Sequence, residues 1–273
     1  MDATAGAGKD LVFIVGRQRS GTTVFRRLLV QAGALDCDEI FHGNLGRPNR
    51  FFAYVAARAE TDRALIHPQN HMQLFRDFIA KLRREADGAV LAMDVKYFGL
   101  NLIPAREDVE GKRPFMVQYM AKNRAHVVHI VRRNKLRVHV SEEMSKTTGR
   151  WSAGQTRHLP QHKPRLTLDI GATLRMVGKL EALDQRVGRQ LASLPGLARL
   201  DYEAMFRSDG LFSDRTVEIA SAFMGGAELV RTPSNLRMNP EPLDALIENF
   251  SAVRAAFENT PHRWMLEEEA AAD

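Results

Sequence analysis

The sequence is poor in cysteine and in long apolar runs, and each shortage excludes a class of protein. Cys37 is the single cysteine among 273 residues, which excludes an intramolecular disulfide and a cysteine-rich zinc site. No apolar run approaches the roughly 20 residues that a membrane-spanning helix needs. The first apolar stretch, Leu11–Val15, is too short for the core of a signal peptide, and the start of the chain lacks a basic region. We therefore expect a cytoplasmic protein without a membrane span.

Aromatic residues are also few, at 7% of the chain, although the hydrophobic (44%) and charged (26%) fractions are those of an ordinary globular protein. Positive charge is concentrated in what we call the basic segment, residues 121–165, which holds eleven Lys and Arg residues against Glu142 and Glu143. Such a segment predicts an anionic ligand. Nucleic acid, a phosphorylated small molecule and a solvated basic face all fit the charge. Trp151 is the one aromatic residue in the segment, which disfavours a groove that stacks bases.

Short apolar runs alternate with helical periodicity along the chain. The runs predict four buried strands: Leu11–Val15, Ala89–Met93, His126–Val131 and Leu197–Leu200. The periodic segments predict six helices: Thr22–Gln31, Asn70–Glu85, Lys135–Thr148, Ile170–Leu191, Ser213–Met224 and Pro242–Glu258. This alternation predicts an α/β fold, P-loop-like, with three α/β/α layers and a central parallel sheet. We expect a single domain over 1–273, with flexible tails at 1–9 and 267–273 and a long loop at 155–165.

A loop with two glycines follows the first predicted strand, and we call residues 16–23 the glycine loop. Gly16 and Gly21 are five residues apart, as in the pattern G-x-x-x-x-G-K-[ST], which wraps backbone N–H groups around a phosphate at a helix N-terminus. Hydroxyl groups come from three residues: Ser20, Thr22 and Thr23. Thr22 stands where the pattern has lysine, and the basic residues come earlier, at Arg17 and Arg19. This departure disfavours phosphoryl transfer from ATP, so a small-molecule kinase is an alternative that needs a lysine from elsewhere.

A second basic group follows the third predicted strand. Arg133 comes at the end of that strand, and Ser141 lies eight residues later in the next predicted helix. Side chains at the carboxyl ends of parallel strands converge on a ligand crevice. An arginine can donate two N–H groups to one phosphate, and a serine two turns along the helix can reach the same phosphate. Basic residues at a helix N-terminus oppose the helix dipole, which favours a functional reason over a merely solvated helix start.

Taken together, the two segments resemble the nucleotide-binding motifs of PAPS-dependent sulfotransferases. Residues 13–23, FIVGRQRSGTT, resemble the 5′-phosphosulfate loop of that family, and residues 129–141, HIVRRNKLRVHVS, resemble its 3′-phosphate motif. Residues 39–42 and 148–151 are most similar to bacterial carbohydrate sulfotransferases of the trehalose and nodulation-factor type, and residues 202–203 resemble the Tyr-Glu pair after a later strand of the family. Only the two phosphate motifs are specific.

The resemblance implies transfer of a sulfuryl group from PAPS to a hydroxyl of a carbohydrate, glycolipid or other small metabolite. The product is adenosine 3′,5′-bisphosphate, and no metal is required. The 5′ end of the donor is then held by six residues: Arg17, Arg19, Ser20, Gly21, Thr22 and Thr23. Arg133 and Ser141 would hold the 3′-phosphate, with Arg237 in a basic loop over the nucleotide. Arg19 would also act on the leaving phosphate.

The acceptor hydroxyl needs a general base, and the sequence offers two candidates. The family uses a glutamate after the first helix in its trehalose-type members and a histidine elsewhere, and Glu39 and His42 match these positions. Position favours Glu39. Lys96, after the second predicted strand, is expected to line the acceptor crevice or to form a structural ion pair. The expected partner is a small-molecule acceptor and not nucleic acid, and relatives of this type often form homodimers.

Overall fold

The computed structural model describes residues 10–47, 49–104, 113–151, 163–234 and 238–267. Its strands are β1 (Leu11–Gly16), β2 (Leu35–Glu39), β3 (Leu91–Lys96), β4 (His126–Val131) and β5 (Leu197–Asp201). Its helices are α1 (Thr22–Gln31), α2 (Phe51–Ala59), α3 (His71–Ala86), α4 (Phe115–Lys122), α5 (Lys135–Thr148), α6 (Ile170–Leu191), α7 (Asp214–Phe223), α8 (Leu243–Leu246) and α9 (Phe250–Glu258). Short 3-10 turns follow two of the strands, at Tyr97–Asn101 after β3 and at Tyr202–Ala204 after β5.

The five strands form one parallel sheet in the order β2-β3-β1-β4-β5. Every residue of β1 is buried, because β1 lies between β3 and β4 in the sheet and helices cover both faces of the sheet. Leu11, Phe13 and Val15 point into one apolar layer, and Val12 and Ile14 point into the other. The expectation of an α/β fold with a central parallel sheet between helical layers is confirmed.

The two apolar layers draw on different helices. The first layer, which we call the aromatic layer, receives α2, α3, α4 and the end of α6 and contains Phe51, Phe75 and Phe78. The second layer receives α1 and α7. A third cluster joins α5 and α6 to α8 and α9 beside the sheet. Among the described residues, no helix has the length and the apolar character that a bilayer crossing requires.

Most predicted elements are found at or near their expected bounds. The helices predicted at 22–31, 135–148 and 170–191 and the strand predicted at 126–131 have the bounds that the structure gives α1, α5, α6 and β4. The second predicted strand lies a few residues later, at Leu91–Lys96. The expected tails at 1–9 and 267–273, apart from residue 267, and most of the expected long loop at 155–165 lie outside the described residues.

The prediction of one helix over Pro242–Glu258 is wrong. The structure has α8 and α9 there, separated at Ile247, whose backbone is extended. Ile247 forms a parallel bridge with Leu166, and the Glu248 N–H donates to the Leu166 carbonyl at 2.9 Å. Pairing with a distant segment therefore replaces helical hydrogen bonds at this point. The elements β2, α2 and α4 were not predicted from the sequence.

Phe75 tests how much stability the aromatic layer supplies. Its side chain is fully buried, and its ring lies 5.1 Å from Tyr119 and 5.5 Å from Phe51, measured between centroids. We expect Phe75→Ala to lower the free energy of unfolding by about 3–5 kcal/mol, because a cavity remains where the ring packed. The measurement is urea unfolding followed by circular dichroism. Phe98→Ala, at a ring that is 48% exposed, is the control and should cost less than about 1 kcal/mol; equal losses would contradict this assignment.

Candidate functional site

The strand order creates a crevice at the carboxyl ends of β1 and β4. The chain leaves β1 towards β2 on one side of the sheet and leaves β4 towards β5 on the other. Adjacent parallel strands whose connections run in opposite directions leave an opening at their carboxyl ends, where α/β proteins bind ligands. The glycine loop follows β1, and residues 132–134 follow β4. The two segments that the sequence singled out therefore border the same crevice.

Close packing fixes the course of the glycine loop. A Cβ on Gly16 would lie 2.4 Å from Thr22 Cγ2, so only glycine fits there. Arg19 and Gly21 both have positive φ angles, 68° and 87°. The Ser20 hydroxyl donates to the Arg17 carbonyl at 2.7 Å and closes the turn. This conformation carries the chain from β1 directly into α1.

The start of α1 offers backbone donors to the crevice. Gly21 occupies the N-cap position and has no side chain to accept a hydrogen bond, and Thr22 and Thr23 form the first turn. Within the described part of the chain, no acceptor is recorded for the backbone N–H groups of residues 20–23. Free N–H groups at a helix N-terminus, together with the helix dipole, favour an anion.

Tyr202 packs beneath the loop and joins it to the turn after β4. A Cβ on Gly21 would lie 2.6 Å from Tyr202 Cδ2, so the ring occupies the space that a side chain would need. The Arg132 guanidinium lies 4.5 Å from the centre of the same ring. The neighbouring Glu203 carboxylate accepts hydrogen bonds from the backbone N–H groups of Arg133 at 3.0 Å and Asn134 at 2.9 Å. The Tyr-Glu pair therefore fixes both the glycine loop and the start of α5.

The structure brings the two predicted phosphate segments into direct contact. Arg19 Nε donates to Ser141 Oγ at 2.9 Å, although 122 residues separate them in sequence. Arg17 Nη2 donates to Glu142 Oε2, one residue further along α5, at 3.0 Å. Arg132 Nη1 lies 3.5 Å from the Arg19 carbonyl oxygen. The glycine loop and α5 therefore form one site.

Positive charge is crowded at this point. Burial, and then the nearby Arg132 guanidinium, lower the pKa of Arg19. The recorded hydrogen-bond partners of the Arg19 side chain among the described residues are neutral oxygens, the Ser141 hydroxyl and the Trp151 carbonyl. A bound anion between these groups would remove the repulsion that the like charges exert on one another.

Arg132, rather than Arg133, turns towards the glycine loop. The Arg132 residue is buried, whereas 62% of the Arg133 side chain is exposed and its guanidinium lies 5.6 Å from the centre of the Trp264 ring. Ser141 is buried and also receives a hydrogen bond from Asn239 Nδ2 at 3.3 Å. Arg237 lies outside the described residues. Sequence reasoning missed Arg132 and Asn239, since adjacent arginines look alike and no spacing rule pointed to residue 239.

A buried lysine reaches the glycine loop from β3. Lys96 Nζ lies 2.5 Å from Thr22 Oγ1, 2.8 Å from Asp94 Oδ2 and 3.4 Å from Glu39 Oε1. Lys96 is 4% exposed and Asp94 is fully buried, with Asp94 Oδ1 lacking a hydrogen-bond partner among the described atoms. An ammonium group therefore stands beside Thr22, the residue that occupies the lysine position of the phosphate-loop pattern.

The two base candidates differ in their surroundings. Glu39 ends β2 and contacts Lys96, and 24% of its side chain is exposed, so it lies at the edge of the crevice. His42 is exposed, and its Nδ1 accepts a hydrogen bond from the Asn44 N–H at 3.0 Å and lies 2.8 Å from Arg50 Nη1. Among the described contacts, none joins His42 to the glycine loop. The structure thus brings Glu39, and not His42, to the Lys96 group.

A buried polar network lies under the turn after β4. Tyr97 Oη and His129 Nε2 are 2.8 Å apart, and burial lowers the pKa of His129 to about 4, so this imidazole is neutral at pH 7. Lys135 pairs with Asp184 of α6 and donates to the Arg132 carbonyl. The network thus holds the backbone that carries Arg132.

Several cations of the basic segment have partners within the fold. Lys135 is buried in the network just described, and Lys163 pairs with Glu241 at 2.6 Å. Arg137 Nη1 donates to the Glu241 carbonyl at 2.9 Å. Lys146 pairs with Glu143 at 2.8 Å. Cations of the segment also remain exposed among the described residues: Lys122, Arg124, Arg133, Lys146, Arg150 and Arg165.

No protein-family model matches the chain, and no curated protein matches it significantly.

Gly21 tests the packing of the loop on Tyr202. Gly33 has a similar positive φ of 97°, but a Cβ added there would meet no atom within 4 Å, so it isolates the cost of the backbone conformation. We expect Gly33→Ala to cost about 1–2 kcal/mol of unfolding free energy. Gly21→Ala should cost about 1–3 kcal/mol more, because its Cβ overlaps the Tyr202 ring. Urea unfolding of the two variants measures the difference. Equal losses of unfolding free energy would contradict the close packing of Gly21 against the Tyr202 ring.

Proposed function

We propose that the protein is a PAPS-dependent sulfotransferase with a P-loop-like donor site. The observation that carries the proposal is the 2.9 Å hydrogen bond between Arg19 Nε and Ser141 Oγ. It joins the segment resembling a 5′-phosphosulfate loop to the segment resembling a 3′-phosphate motif. A donor with phosphate groups at the 3′ and 5′ positions of one ribose would require these two segments to lie side by side. A ligand with a single phosphate would not require both segments.

The residues around the crevice suit the chemistry of sulfuryl transfer. The transferred group spreads negative charge over three equatorial oxygens, so positioned cations and N–H groups supply most of the stabilisation, by analogy with phosphoryl transfer. Arg19 and the N–H groups of residues 20–23 would bind the 5′-phosphate as it leaves. Lys96, beside Thr22, would meet the equatorial oxygens of the sulfuryl group. Ser141, with Arg132 or Arg133, would hold the 3′-phosphate.

Glu39 is placed to act as the general base. In the proposed step, a Glu39 carboxylate oxygen takes the proton of the acceptor hydroxyl. The acceptor oxygen forms a bond to sulfur while the bond between sulfur and the 5′-phosphate oxygen breaks, releasing adenosine 3′,5′-bisphosphate. Lys96 contacts both Thr22 and Glu39, which supports a reaction in which the proposed base and the loop that would hold the leaving group share one lysine. The acceptor is a hydroxyl of a carbohydrate, glycolipid or other small metabolite in the cytoplasm.

One observation favours a second candidate, a small-molecule kinase. Thr22 replaces the lysine of the phosphate-loop pattern, but Lys96 Nζ lies 2.5 Å from Thr22 Oγ1 and supplies an ammonium at that place. Asp94 and the hydroxyl of Thr23 could then hold Mg²⁺ with ATP. The two candidates differ in the nucleotide that they bind and in their dependence on Mg²⁺.

Donor binding distinguishes the candidates. We expect adenosine 3′,5′-bisphosphate at about 100 times its Kd to raise the Tm by about 5–10 °C without Mg²⁺, because it binds only the folded chain. Ser141→Ala should weaken this binding about tenfold or more, since it removes a contact to the 3′-phosphate. Either Arg132→Ala or Arg133→Ala should weaken it by a similar factor, and the variant that does so identifies the arginine that holds the 3′-phosphate. Arg215→Ala, on an exposed arginine of α7, is the control and should leave the shift unchanged. A shift with Mg²⁺ and ATP alone would favour the kinase and contradict the sulfotransferase.

Glu39 and His42 can be separated by kinetics. We expect Glu39→Gln to lower kcat for sulfuryl transfer by about 100-fold or more, because the amide cannot accept the acceptor proton. The stabilisation by adenosine 3′,5′-bisphosphate should stay as in the natural protein, since Glu39 does not hold the donor. His42→Gln should leave kcat within about twofold. The opposite pattern, a loss confined to His42→Gln, would assign the base to His42.

A further inference from the structure

The strand that carries Glu39 contains an extra residue. Asp36 of β2 lies opposite Ala92 of β3, and Glu39 lies opposite Asp94. Three steps along β2 therefore match two steps along β3, which is the pattern of a β-bulge. The extra residue falls at Cys37 and Asp38, directly before the candidate base.

The bulge decides which face of the sheet Glu39 occupies. Paired residues of neighbouring strands point to the same side, and a slip of one residue sends a side chain to the opposite side. In a regular strand Glu39 would pair with Val95, whose side chain is fully buried in the aromatic layer. With the extra residue it pairs with Asp94 and shares the face of Lys96, with 3.4 Å between Glu39 Oε1 and Lys96 Nζ.

Asp38 is held in the conformation that the bulge requires. Its φ angle is 56°, in the left-handed region that aspartate tolerates better than most residues. Its carboxylate binds what we call the arginine cluster: Arg26 at 3.0 Å, Arg47 at 2.9 Å and Arg50 at 2.7 Å. Its N–H donates to Asp36 Oδ1 at 2.9 Å. Three elements, α1, the loop after β2 and the start of α2, thus converge on one side chain.

The charges make this arrangement hard to relax. The Arg26 and Arg50 side chains are each 6% exposed, so each needs a negative partner. Burial alone would raise the pKa of Asp38, but the hydrogen bond from Arg50 and the charge of Arg26 bring it down to about 2. Asp38 is therefore ionised throughout the physiological range. Moving it would take the carboxylate from buried Arg50 and would leave buried Arg26 with Asp36 as its carboxylate partner among the described residues.

We propose that Asp38 is a positioning residue, which keeps β2 bulged so that the Glu39 carboxylate faces Lys96 and the glycine loop. The role of Asp38 in catalysis rests on the proposed function of Glu39. Its effect on where Glu39 points does not, because that effect follows from the register of β2 alone.

Kinetics test the catalytic part. Asp38→Asn should lower kcat for sulfuryl transfer about tenfold or more, because a misplacement of about 1 Å can cost about 100-fold. Stabilisation by adenosine 3′,5′-bisphosphate should be unchanged. Asp10→Asn is the matched control: Asp10 pairs with Arg83 at 2.9 Å at the other end of the sheet, and its loss should leave kcat within about twofold. In a Glu39→Gln background, Asp38→Asn should cause no further loss of kcat. The same loss in both backgrounds would overturn the positioning role.

Thiol labelling tests the structural part without any activity. Cys37 is the single cysteine and is buried, so a Cys37→Ala, Glu39→Cys chain has one thiol, at position 39. With Asp38 present this thiol faces the crevice, and iodoacetamide should alkylate it readily. Adding Asp38→Asn should slow alkylation about tenfold or more, because position 39 turns into the aromatic layer. An unchanged rate would overturn the proposal. A slowed rate, together with no sulfuryl transfer by the unsubstituted protein, would uphold the positioning and reject the proposed function.

Discussion

The pairing of β1 on both sides, with β3 and with β4, determines where the glycine loop, Lys96 and Arg132 lie relative to one another. Because β1 is the central strand, hydrogen bonds to both β3 and β4 fix its register. The position of Arg17, the first residue after β1, is therefore fixed as well. The connections after β1 and β4 run to opposite sides, which opens the crevice between them. Lys96 at the end of β3 and Arg132 just after β4 then flank the glycine loop from either side.

The electrostatics of the crevice follow from this geometry. The carboxyl ends of three neighbouring strands each place a cation near the start of α1, whose free N–H groups are themselves partly positive. Arg17 and Lys96 have carboxylate partners in Glu142 and Asp94, whereas the recorded partners of Arg19 among the described residues are a hydroxyl and a carbonyl. The charge is thus least compensated at Arg19, between the two segments that resemble phosphate motifs. A donor with more than one negative group fits such a site better than a single anion.

The sequence predicts the fold well where packing is local and poorly where it is not. Apolar periodicity suffices for α1, β4, α5 and α6, because each buries a regular stripe of its own residues. The strand β2 reads LDCDE, and its three acids leave no apolar pattern to recognise. In the fold Arg26 and Arg50 pair with Asp36 and Asp38, and Lys96 pairs with Glu39. The helix expected over 242–258 is interrupted because Ile247 pairs with Leu166, a contact that periodicity cannot contain.

The same distinction applies to the site. The glycine loop and Ser141 are predicted from spacing, because each motif lies within one short segment of the chain. Lys96 reaches Thr22 across 74 residues, so its contact depends on which strands become neighbours. The inward turn of Arg132, rather than Arg133, depends on the ring of Tyr202 and on the hold of Glu203 on the backbone. Neither contact has a signature in local sequence.

The position of Glu39 on an edge strand explains why a bulge can exist there. The strand β2 has one neighbour, β3, so an extra residue disturbs a single ladder, whereas in β1 it would disturb two. Under the proposed function, the groups that would bind the donor follow the strand whose register is fixed on both sides. The Glu39 carboxylate, which would meet the acceptor, follows the strand that tolerates a change of register. In this arrangement Asp38 and Arg50 could change the direction of Glu39 while the glycine loop keeps its geometry.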